Sequence, residues 1–440
     1  MLRRHSLRIY RVLSPCLALC VIATGERAVG VDLIGYLPHY RMNSTYNTGT
    51  LPAQLAMLDE IRYFGLTAAS NGTVTSLGGS GNMTSHLNRI ATIKSAIELL
   101  PVADRPRLNI TLGGAGEAAN FATVAASSTL RDTFAQSIES LLDQTGATSV
   151  DIDWEHPDAG IQRTTHYPAM LARIKQEVGT NRRVHATVDP TVVIPSSVFS
   201  GPNAIDGLSL MTYDLGWWGN DPGNPNQAEH SLPEYAADSV EAWTEAPGSP
   251  NDRPWVFGIW GNNAPEDKLG IGLPFYGHTV TSPDTTYTYE QLVAGGTTTD
   301  GNYYTYAGRS VWLPGPDLAA QRVEYAHEQR LQHVIIWEIG QDLHPSNANS
   351  LLRAAYEMQQ SLAPLVGDYN DDGKVDSADY VVWRREDGSE AGYEAWRANF
   401  GNSAAGGGAS TSTSVPEPQC FSLAWIFGIL LFARHQLFRS

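Results

Sequence analysis

The sequence carries at residues 149–155 the run Ser149-Val150-Asp151-Ile152-Asp153-Trp154-Glu155. Because side chains of a β-strand alternate between its two faces, the three carboxylates of this run point to one face and the apolar side chains to the other. Three carboxylates on one face repel one another unless they share a proton or lie near a cation. Such a row is typical of acid catalysis or metal binding. The strongly apolar opposite face disfavours the alternative, a surface strand with alternating acids.

The composition limits the classes of fold and partner. The chain has 440 residues, 42% of them hydrophobic, and a formal net charge of −17. This length suits one large barrel with small appendages. The acidic balance disfavours nucleic acid as a partner, since phosphate contacts need Lys and Arg, whereas a neutral or cationic polysaccharide is compatible with it.

Short β-rich runs alternate with longer helical patterns between residues 31 and 363, which predicts repeated βα units around a parallel sheet. Eight runs are candidate strands, near Leu33–Leu37, Glu60–Leu66, Arg107–Leu112, Ser149–Glu155, Arg183–Val188, Gly207–Tyr213, Lys268–Leu273 and His333–Trp337. Eight such units predict an α/β fold, the (β/α)8 TIM barrel, whose active site lies at the C-terminal ends of its strands.

Short motifs stand at the ends of several of these strands. They are Gly35-Tyr36, Thr111-Leu112-Gly113-Gly114, Met211-Thr212-Tyr213-Asp214, the run from Lys268 to Gly277, and Trp337. Together with the acidic run they resemble glycoside hydrolase family 18, the chitinase family, over residues 31 to about 345. The family pattern Asp-Gly-x-Asp-x-Asp-x-Glu is matched at its last three acidic positions, whereas Thr148 and Ser149 stand where the family has Asp and Gly.

The resemblance implies an enzyme that hydrolyses β-1,4-linked N-acetylglucosamine polymers such as chitin, with retention, substrate assistance and no catalytic cofactor. It implies that Glu155 is the general acid and base and that Asp153 orients the acetamido group of the substrate. Asp151 would share a proton with Asp153, and Tyr213 would hydrogen-bond the acetamido group. Neighbouring carboxylates suit this chemistry, because like-charge repulsion and burial raise the pKa of a general acid.

Other residues are expected, by the same resemblance, to contact the sugar: Tyr36, Gly113, Gly114, Asp214, Tyr276 and Trp337. Trp337 would form the floor under the sugar at the cleavage site. Packing within the core is an alternative role for the aromatic residues, and a structural Tyr–Asp pair is an alternative for Tyr213 and Asp214. The segment between Tyr276 and Gln321 looks shorter than the α+β insert of deep-cleft chitinases, which predicts a shallower groove.

Two other functions stay open. An endo-β-N-acetylglucosaminidase that cuts glycoprotein glycans would use the same catalytic residues and differ only in the shape of the groove. A non-catalytic, chitin-binding barrel is disfavoured, because family members of that kind typically lack the acid that Glu155 provides.

A second motif lies at residues 368–379. Oxygen ligands stand at the spacing of an EF-hand loop, with Gly373 at the sharp turn and the Lys374 carbonyl at position seven. The predicted calcium ligands are Asp368, Asn370, Asp372, Lys374, Asp376 and Asp379. Because the last ligand is Asp rather than Glu, the loop resembles a dockerin repeat, which predicts a small α-helical EF-hand module over residues 364–401. The partner segment at 393–401 lacks a second ligand set, which makes a cohesin-like partner doubtful and favours a calcium-stabilised spacer.

Both termini resemble targeting signals. Residues 1–30 combine four arginines within the first eleven residues with a short apolar run, as in a secretory signal peptide. A linker at 402–414 precedes a segment at 415–440 in which Pro-Glu-Pro, an apolar run and Arg434 resemble a PEP-CTERM sorting tail. The chain is therefore expected to be exported, and secreted or attached to the cell surface by a sorting machinery. A permanent tail anchor is the alternative reading of the last segment.

The three cysteines, Cys16, Cys20 and Cys420, all lie in these targeting segments. The folded part is therefore expected to contain neither a disulfide nor a thiolate metal site. Lipoprotein attachment at Cys20 is disfavoured, since the bulky Leu19 precedes it.

Overall fold

The computed structural model describes residues 30–403 except 79, 159, 216–228, 247–261, 281–284, 301, 364 and 371–372. Nearly all of the predicted signal peptide, linker and sorting tail therefore lies outside the described residues. Among the helices that are described, none combines the length and the apolar character that a membrane span requires.

The strands alternate with helices along most of the described chain. In chain order the strands are β1 (Asp32–Pro38), β2 (Glu60–Ala68), β3 (Val74–Ser76), β4 (Arg107–Gly113), β5 (Ser149–Asp153), β6 (Arg183–Val188), β7 (Gly207–Leu210), β8 (Leu269–Pro274), β9 (Tyr276–Thr279), β10 (Thr286–Thr288), β11 (Thr297–Asp300), β12 (Tyr303–Tyr306), β13 (Arg309–Trp312) and β14 (His333–Trp337). The helices are α1 (Ser44–Gly49), α2 (Leu51–Leu55), α3 (Met83–Glu98), α4 (Ala118–Ala126), α5 (Ser128–Thr145), α6 (Tyr167–Val178), α7 (Pro233–Thr244), α8 (Tyr289–Gly295), α9 (Pro316–Glu328), α10 (Leu351–Leu362), α11 (Ser377–Glu386) and α12 (Glu390–Asn399).

Eight of the strands form a closed parallel barrel. They follow the order β1-β14-β8-β7-β6-β5-β4-β2, and β2 pairs back with β1. All eight predicted strands are present, so the predicted (β/α)8 barrel is confirmed. Two of them are shorter than predicted, since β5 ends at Asp153 and β7 at Leu210. Glu155 and the motif residues after Leu210 consequently lie on loops at the mouth of the barrel.

The alternating side chains of strand β5 explain its position in the barrel. The register sets Thr111 of β4 beside Asp151, and Asp151 beside His185 of β6, so polar side chains meet inside the barrel. The apolar side chains of β5 face the helices. Trp154, which follows the strand, is fully buried with its ring 5.9 Å from that of Phe121 and 5.2 Å from that of Tyr167. Trp154 therefore packs against the helix layer, on the face opposite the carboxylates.

The segment after β8 folds into an α+β insert. Its five-stranded antiparallel sheet has the order β10-β9-β13-β12-β11, and α8 begins at a capping box formed by Thr288 and Gln291. Only Phe275 separates barrel strand β8 from β9, the first strand of the insert. The insert is thus a complete folded unit although its sequence looked short, and the predicted shallower groove stays a prediction.

Helices α11 and α12 form a small unit near the C-terminus of the described chain. Its aromatic rings contact one another in a cluster of Tyr380, Trp383, Tyr393, Trp396 and Phe400. The indole N–H of Trp396 donates to the carbonyl oxygen of Asp376 at 2.6 Å, which ties α12 to the loop before α11. The calcium-loop residues Asp371 and Asp372 lie outside the described residues.

Candidate active site

Asp151 lies inside the barrel beneath the cleft, fully buried. Its Oδ2 accepts hydrogen bonds from the hydroxyls of Tyr36 at 2.9 Å and Thr111 at 3.2 Å, and its Oδ1 accepts one from Thr187 at 2.9 Å. The guanidinium of Arg62, also fully buried, lies 3.2 Å from Oδ1. One guanidinium and three hydroxyls therefore contact Asp151, and these partners occupy both of its oxygens.

Asp153 is the next inward carboxyl on β5 and is buried at the floor of the cleft. Among the residues that the structure describes, its Oδ1 has no hydrogen-bond partner. Burial raises the pKa of Asp153 well above its usual range, the charges of Glu155 and Asp151 raise it further, and Arg62 opposes them. Asp153 is thus poised to hold a proton, and it presents an acceptor atom that lacks a donor.

Glu155 follows the strand and faces the same cleft. Burial raises its pKa to about 7, and the charges of Asp189 and Asp214 contribute to this shift. A carboxyl group with such a pKa can donate a proton near neutral pH and then take one back, as a general acid and base must.

The cleft is a cavity of about 370 Å³ at the C-terminal ends of the barrel strands. It is lined by Tyr36, Phe64, Leu77, Ala115, Asp153, Glu155, His156, Thr187, Asp189, Met211, Tyr213, Asp214, Tyr276 and Trp337. The half-buried ring of Trp337 lies 5.4 Å from that of Tyr36 and 5.2 Å from that of Phe64. The structure therefore brings most of the predicted site residues together around one aromatic-walled cavity.

Asp214, the last residue of the motif Met211-Thr212-Tyr213-Asp214 after β7, adopts a left-handed conformation, with φ 62. Its Oδ2 accepts a hydrogen bond from the Tyr276 hydroxyl at 2.7 Å, and its Oδ1 lies 2.8 Å from Nε2 of His278. Burial alone would raise the pKa of Asp214, but its contacts with His230 and His278 hold it well below its usual range. Asp214 is therefore an ionised carboxylate at the cleft wall.

Tyr213 is buried beside the cleft, and Gly272 of β8 makes the space for its ring. A Cβ atom on Gly272 would stand 2.5 Å from the Tyr213 ring. The rings of Tyr213 and Tyr276 meet edge to face at 6.3 Å. Both tyrosines therefore line the wall next to Asp214.

Gly113, the last residue of β4, and Gly114 lie against the backbone at the end of β5. Gly113 has φ 125, and a Cβ atom there would stand 2.0 Å from the carbonyl oxygen of Asp153. Gly114 donates its N–H to that same oxygen at 2.8 Å, and a Cβ on it would meet the Phe64 ring at 2.5 Å. These glycines thus allow β4 to approach the backbone of β5 closely. Their predicted contact with sugar stays a prediction.

Several site residues were missed from the sequence. Thr187 lies on β6 and Asp189 directly follows this strand, and the run Thr187-Val188-Asp189 repeats the polar alternation of β5, which could have indicated both residues. Arg62 and Glu60 alternate on β2 in the same way. His230 offered no signal, because it is a lone histidine outside every strand-end motif.

The comparisons with known proteins agree with this geometry. The sequence profile of the glycosyl hydrolases family 18 matches residues 34–342. The chain belongs to this family. The prediction of a glycoside hydrolase of the chitinase type is thereby confirmed, and no catalytic cofactor is needed in this family.

Relatives of this family 18 member are similar over most of its length. Endochitinase 1 of Metarhizium robertsii is 24% identical over 364 residues, which covers 72% of this chain and 83% of that protein. A GH18 chitinase from the chitin utilization locus of Flavobacterium johnsoniae has a TM-score of 0.56 at 23% identity, over 76% of this chain and 95% of that chain. A mutant class V chitinase from Nicotiana tobaccum, in complex with NAG4, has a TM-score of 0.57 at 16% identity, over 75% and 99% of the two chains.

The loop at 368–379 lies beyond the part of the chain that the family 18 profile matches. Gly373 has φ 79, the conformation that the sharp turn of an EF-hand loop needs, and its N–H donates to Oδ2 of Asp368 at 2.8 Å. The buried carboxylate of Asp379 accepts the backbone N–H groups of Tyr369, Asn370 and Asp376 at 2.8, 3.1 and 2.7 Å. Backbone N–H groups of the loop thus bind the carboxylates of the first and last predicted ligands, Asp368 and Asp379, and calcium binding there stays a prediction.

Proposed function

We propose that this protein hydrolyses β-1,4-linked N-acetylglucosamine polymers by substrate-assisted catalysis. The observation that carries the proposal is the buried Oδ1 of Asp153, which has no hydrogen-bond partner among the described residues and lies next to a carboxyl, Glu155, whose pKa is about 7. A buried polar atom without a partner is unfavourable. The N–H of a 2-acetamido group would supply the missing donor, whereas a sugar with a 2-hydroxyl presents no amide there.

The site residues support the following sequence of steps. Protonated Glu155 donates its proton to the glycosidic oxygen as the bond from that oxygen to the anomeric carbon breaks. The acetamido oxygen attacks the anomeric carbon and forms an oxazolinium ion, while Asp153 holds the acetamido N–H. Ionised Glu155 then takes a proton from water, and the water oxygen attacks the anomeric carbon and opens the ring. The configuration is retained, because the anomeric carbon is inverted twice.

The surroundings of Asp153 favour this role over that of a nucleophile. Its raised pKa keeps it protonated more readily than an ordinary carboxyl, and a protonated carboxyl is a poor nucleophile. The aromatic wall of Tyr36, Phe64 and Trp337 suits the C–H faces of a sugar ring. Several relatives are named chitinases, which supports chitin as the substrate.

The test compares hydrolysis of N-acetylglucosamine oligomers, the same oligomers without acetyl groups, and a high-mannose glycopeptide. We expect cleavage of the acetylated oligomers alone. Glu155→Gln should lower the rate by at least about 10²–10⁴, whereas Glu357→Gln, the same change at an exposed glutamate on α10, should leave it unchanged. Equal cleavage of the deacetylated oligomers would refute substrate assistance. Cleavage of the glycopeptide alone would assign an endo-β-N-acetylglucosaminidase, and oligomers bound without product would indicate a sugar-binding barrel.

We also propose that residues 364–401 are a calcium-stabilised, dockerin-like spacer rather than a cohesin ligand. The spacing of the oxygen ligands in the sequence and the left-handed turn at Gly373 support this proposal. Calorimetry should detect Ca²⁺ binding by the purified protein, and Asp368→Asn should weaken it. Asp387→Asn, a change at an exposed acid outside the loop, is the control. Equal Ca²⁺ affinity in all three proteins would refute the assignment.

We further propose export, followed by secretion or attachment at the cell surface through the C-terminal segment. The basic and apolar N-terminal run and the Pro-Glu-Pro tail support it. Mass spectrometry of the protein recovered from its producing cells should find both ends shortened. An intact C-terminus in a membrane fraction would assign the tail as a permanent anchor, and an intact N-terminus in the cytoplasm would refute export.

A further inference from the structure

Three potential metal ligands meet beside the cleft: Asp214 after β7, His230, and His278 on β9. Oδ1 of Asp214 lies 2.8 Å from Nε2 of His278 and 3.2 Å from Nδ1 of His230. All three ligand atoms lie within 4.8 Å of one another. We propose that these residues bind a divalent transition-metal ion, represented by Zn²⁺, and that the bound metal inhibits hydrolysis by withdrawing Asp214 from the substrate.

The spacing of the three atoms suits Zn²⁺. Bonds from Zn²⁺ to imidazole nitrogen and carboxylate oxygen are about 2.0–2.1 Å long, so two ligands at the tetrahedral angle stand about 3.4 Å apart. The observed separations of 2.8 and 3.2 Å are close to this value. Small movements of the Asp214 and His278 side chains would complete the site, without a change in the backbone.

His230 has the tautomer that a ligand needs. Its Nε2 lies 3.3 Å from the carbonyl oxygen of Tyr276, and since a carbonyl only accepts, Nε2 carries the proton. Nδ1 therefore presents its lone pair to Asp214, whose backbone N–H now donates to it at 3.1 Å. Ligating histidines usually donate their other ring N–H to a carbonyl or carboxylate in this way. On metal binding, Nδ1 of His230 would lose its hydrogen bond from the Asp214 N–H and would bind the ion instead.

Neighbouring residues hold this group in place. The Ser231 hydroxyl donates to the carbonyl oxygen of Thr212 at 2.8 Å, and the buried Arg322 donates to the carbonyl oxygen of Ser231 at 2.9 Å. His230, between these contacts and Tyr276, is fully buried. The Tyr276 hydroxyl occupies Oδ2 of Asp214 and so turns Oδ1 toward the two imidazoles. The position of His230 and the orientation of the Asp214 carboxylate are thus set before a metal arrives.

The donor set selects the class of metal. Two imidazoles and one carboxylate suit Zn²⁺, Cu²⁺ and Ni²⁺, whereas Ca²⁺ and Mg²⁺ prefer oxygen ligands alone. Calcium bound at the loop near the C-terminus would therefore not compete for this site. His278 now donates its Nε2 proton to Asp214, so metal binding must displace that proton.

The inhibitory part of the inference rests on the proposed function and on the expected contact of Asp214 with the sugar. The side chain of Asp214 is 46% exposed and lines the same cavity as Glu155. A metal on Oδ1 would neutralise this carboxylate and occupy space at the cleft wall. Zn²⁺ and substrate should therefore compete, and the apparent KM should rise with the Zn²⁺ concentration.

The first experiment measures binding by titrating Zn²⁺ into the purified protein in a calorimeter, with Ca²⁺ present to saturate the EF-hand loop. His278→Gln keeps a donor for Asp214 but removes the imidazole, and we expect it to weaken Zn²⁺ binding by at least about 10-fold. His344→Gln, the same change at an exposed histidine, should bind as the unmodified protein does. Electron paramagnetic resonance of the unmodified protein with one equivalent of Cu²⁺ should show coupling to two nitrogens, which needs no variant. No Zn²⁺ binding, or equal binding by His278→Gln, would overturn the site.

The second experiment measures inhibition, with each protein compared to its own metal-free rate. Zn²⁺ should inhibit the unmodified protein and His344→Gln at concentrations that leave His278→Gln unaffected. Zn²⁺ binding at this site without inhibition would refute only the inhibitory role. A protein that hydrolyses nothing without metal would refute the proposed function, while calorimetry would still decide the metal site.

Discussion

Removal of the buried guanidinium of Arg62, which contacts Asp151 of β5 inside the barrel, should destabilise the barrel strongly. Arg62 is fully buried, and it contacts Glu60 through Nε at 3.0 Å and Asp151 through one terminal nitrogen at 3.2 Å. The variant Arg62→Met keeps the length and the apolar stem of the side chain but deletes its charge. It leaves two buried carboxylates with fewer partners, far from solvent.

The size of the destabilisation depends on the partners that the two carboxylates keep in Arg62→Met. Glu60 keeps Arg107 at 3.4 Å and the amide of Asn109 at 2.9 Å, so part of its charge stays compensated. Asp151 keeps only neutral hydroxyl donors. Loss of one partner from a buried ion pair costs about 3–5 kcal/mol, because the remaining charge is left uncompensated. We therefore expect Arg62→Met to lower the free energy of unfolding by about 3–5 kcal/mol, a large part of the 5–15 kcal/mol typical of a folded protein.

The loss should depend on pH. Burial alone would raise the pKa of Glu60, but the charges of its neighbours lower it below its ordinary value of 4.5. His185 is uncharged at neutral pH, since burial lowers its pKa to about 3, so the two arginines carry this effect. A carboxyl with a lowered pKa stabilises the fold above its unfolded pKa and loses that contribution as the pH falls. The difference between the two proteins should therefore shrink below about pH 4.5.

Urea denaturation, followed by tryptophan fluorescence at pH 7 and at pH 4, measures this difference. With a slope of about 3 kcal/mol per M, the midpoint at pH 7 should fall by about 1–1.7 M. Arg353→Met is the control, since Arg353 forms an exposed pair with Glu357 and its loss should change stability by about 0.5 kcal/mol or less. A variant Arg62→Met with the stability of the unmodified protein at pH 7 would refute the reasoning, because the buried carboxylates would then not depend on this cation.

Three further predictions concern the cleft. Asp153→Asn should raise the free energy of unfolding at pH 7 by about 1–2 kcal/mol and lower kcat by at least about 10². Because folding raises the pKa of Asp153, the gain in urea midpoint should vanish below pH 3.8, the ordinary pKa of an aspartate. An unchanged midpoint at pH 7 would contradict this prediction. Asp189→Asn removes a negative charge near Glu155, so the alkaline limb of kcat/KM, near pH 7, should move to lower pH by roughly 0.5–1 unit, and a shift to higher pH would refute the assignment. Gly113→Ala should lower the free energy of unfolding by about 1–3 kcal/mol because of its positive φ, whereas Gly49→Ala, where an added Cβ meets nothing within 4 Å, should leave the urea midpoint nearly unchanged.

The barrel could be predicted because its strands carry a local signal. Strand runs such as Arg107–Leu112 and Arg183–Val188 are short, β-branched and bounded by turn residues, and the structure places a strand at each. Strand ends were harder to predict. The alternation continues through Glu155, but the hydrogen-bonded ladder stops at Asp153, where the neighbouring β4 ends at Gly113.

The upper part of the site was predictable for the same reason, since motifs at strand ends converge in a barrel of this kind. The contacts beneath it were not. Arg62 reaches Ser209, which stands 147 positions away, and no local pattern reports such a contact. His278 could have been found, because it stands two residues after Tyr276 on β9 and so shares its face. His230 meets Asp214 only through the folded barrel mouth.

The strands of the insert after β8 contribute unequally to the cleft wall, which matters when such inserts are exchanged between barrels of this kind. Strand β9 carries Tyr276 and His278 and lies inside the insert sheet, paired with β10 on one side and β13 on the other. The β11–β12 hairpin forms the far edge of this sheet and is joined to β9 through β13. A graft that replaces residues 297–306 would therefore keep the pairing of β9 but remove Tyr303, whose hydroxyl donates a hydrogen bond to Glu229 beside His230. A graft that also replaces 309–312 would strip β9 of a pairing partner and release Asp214 from its neighbours.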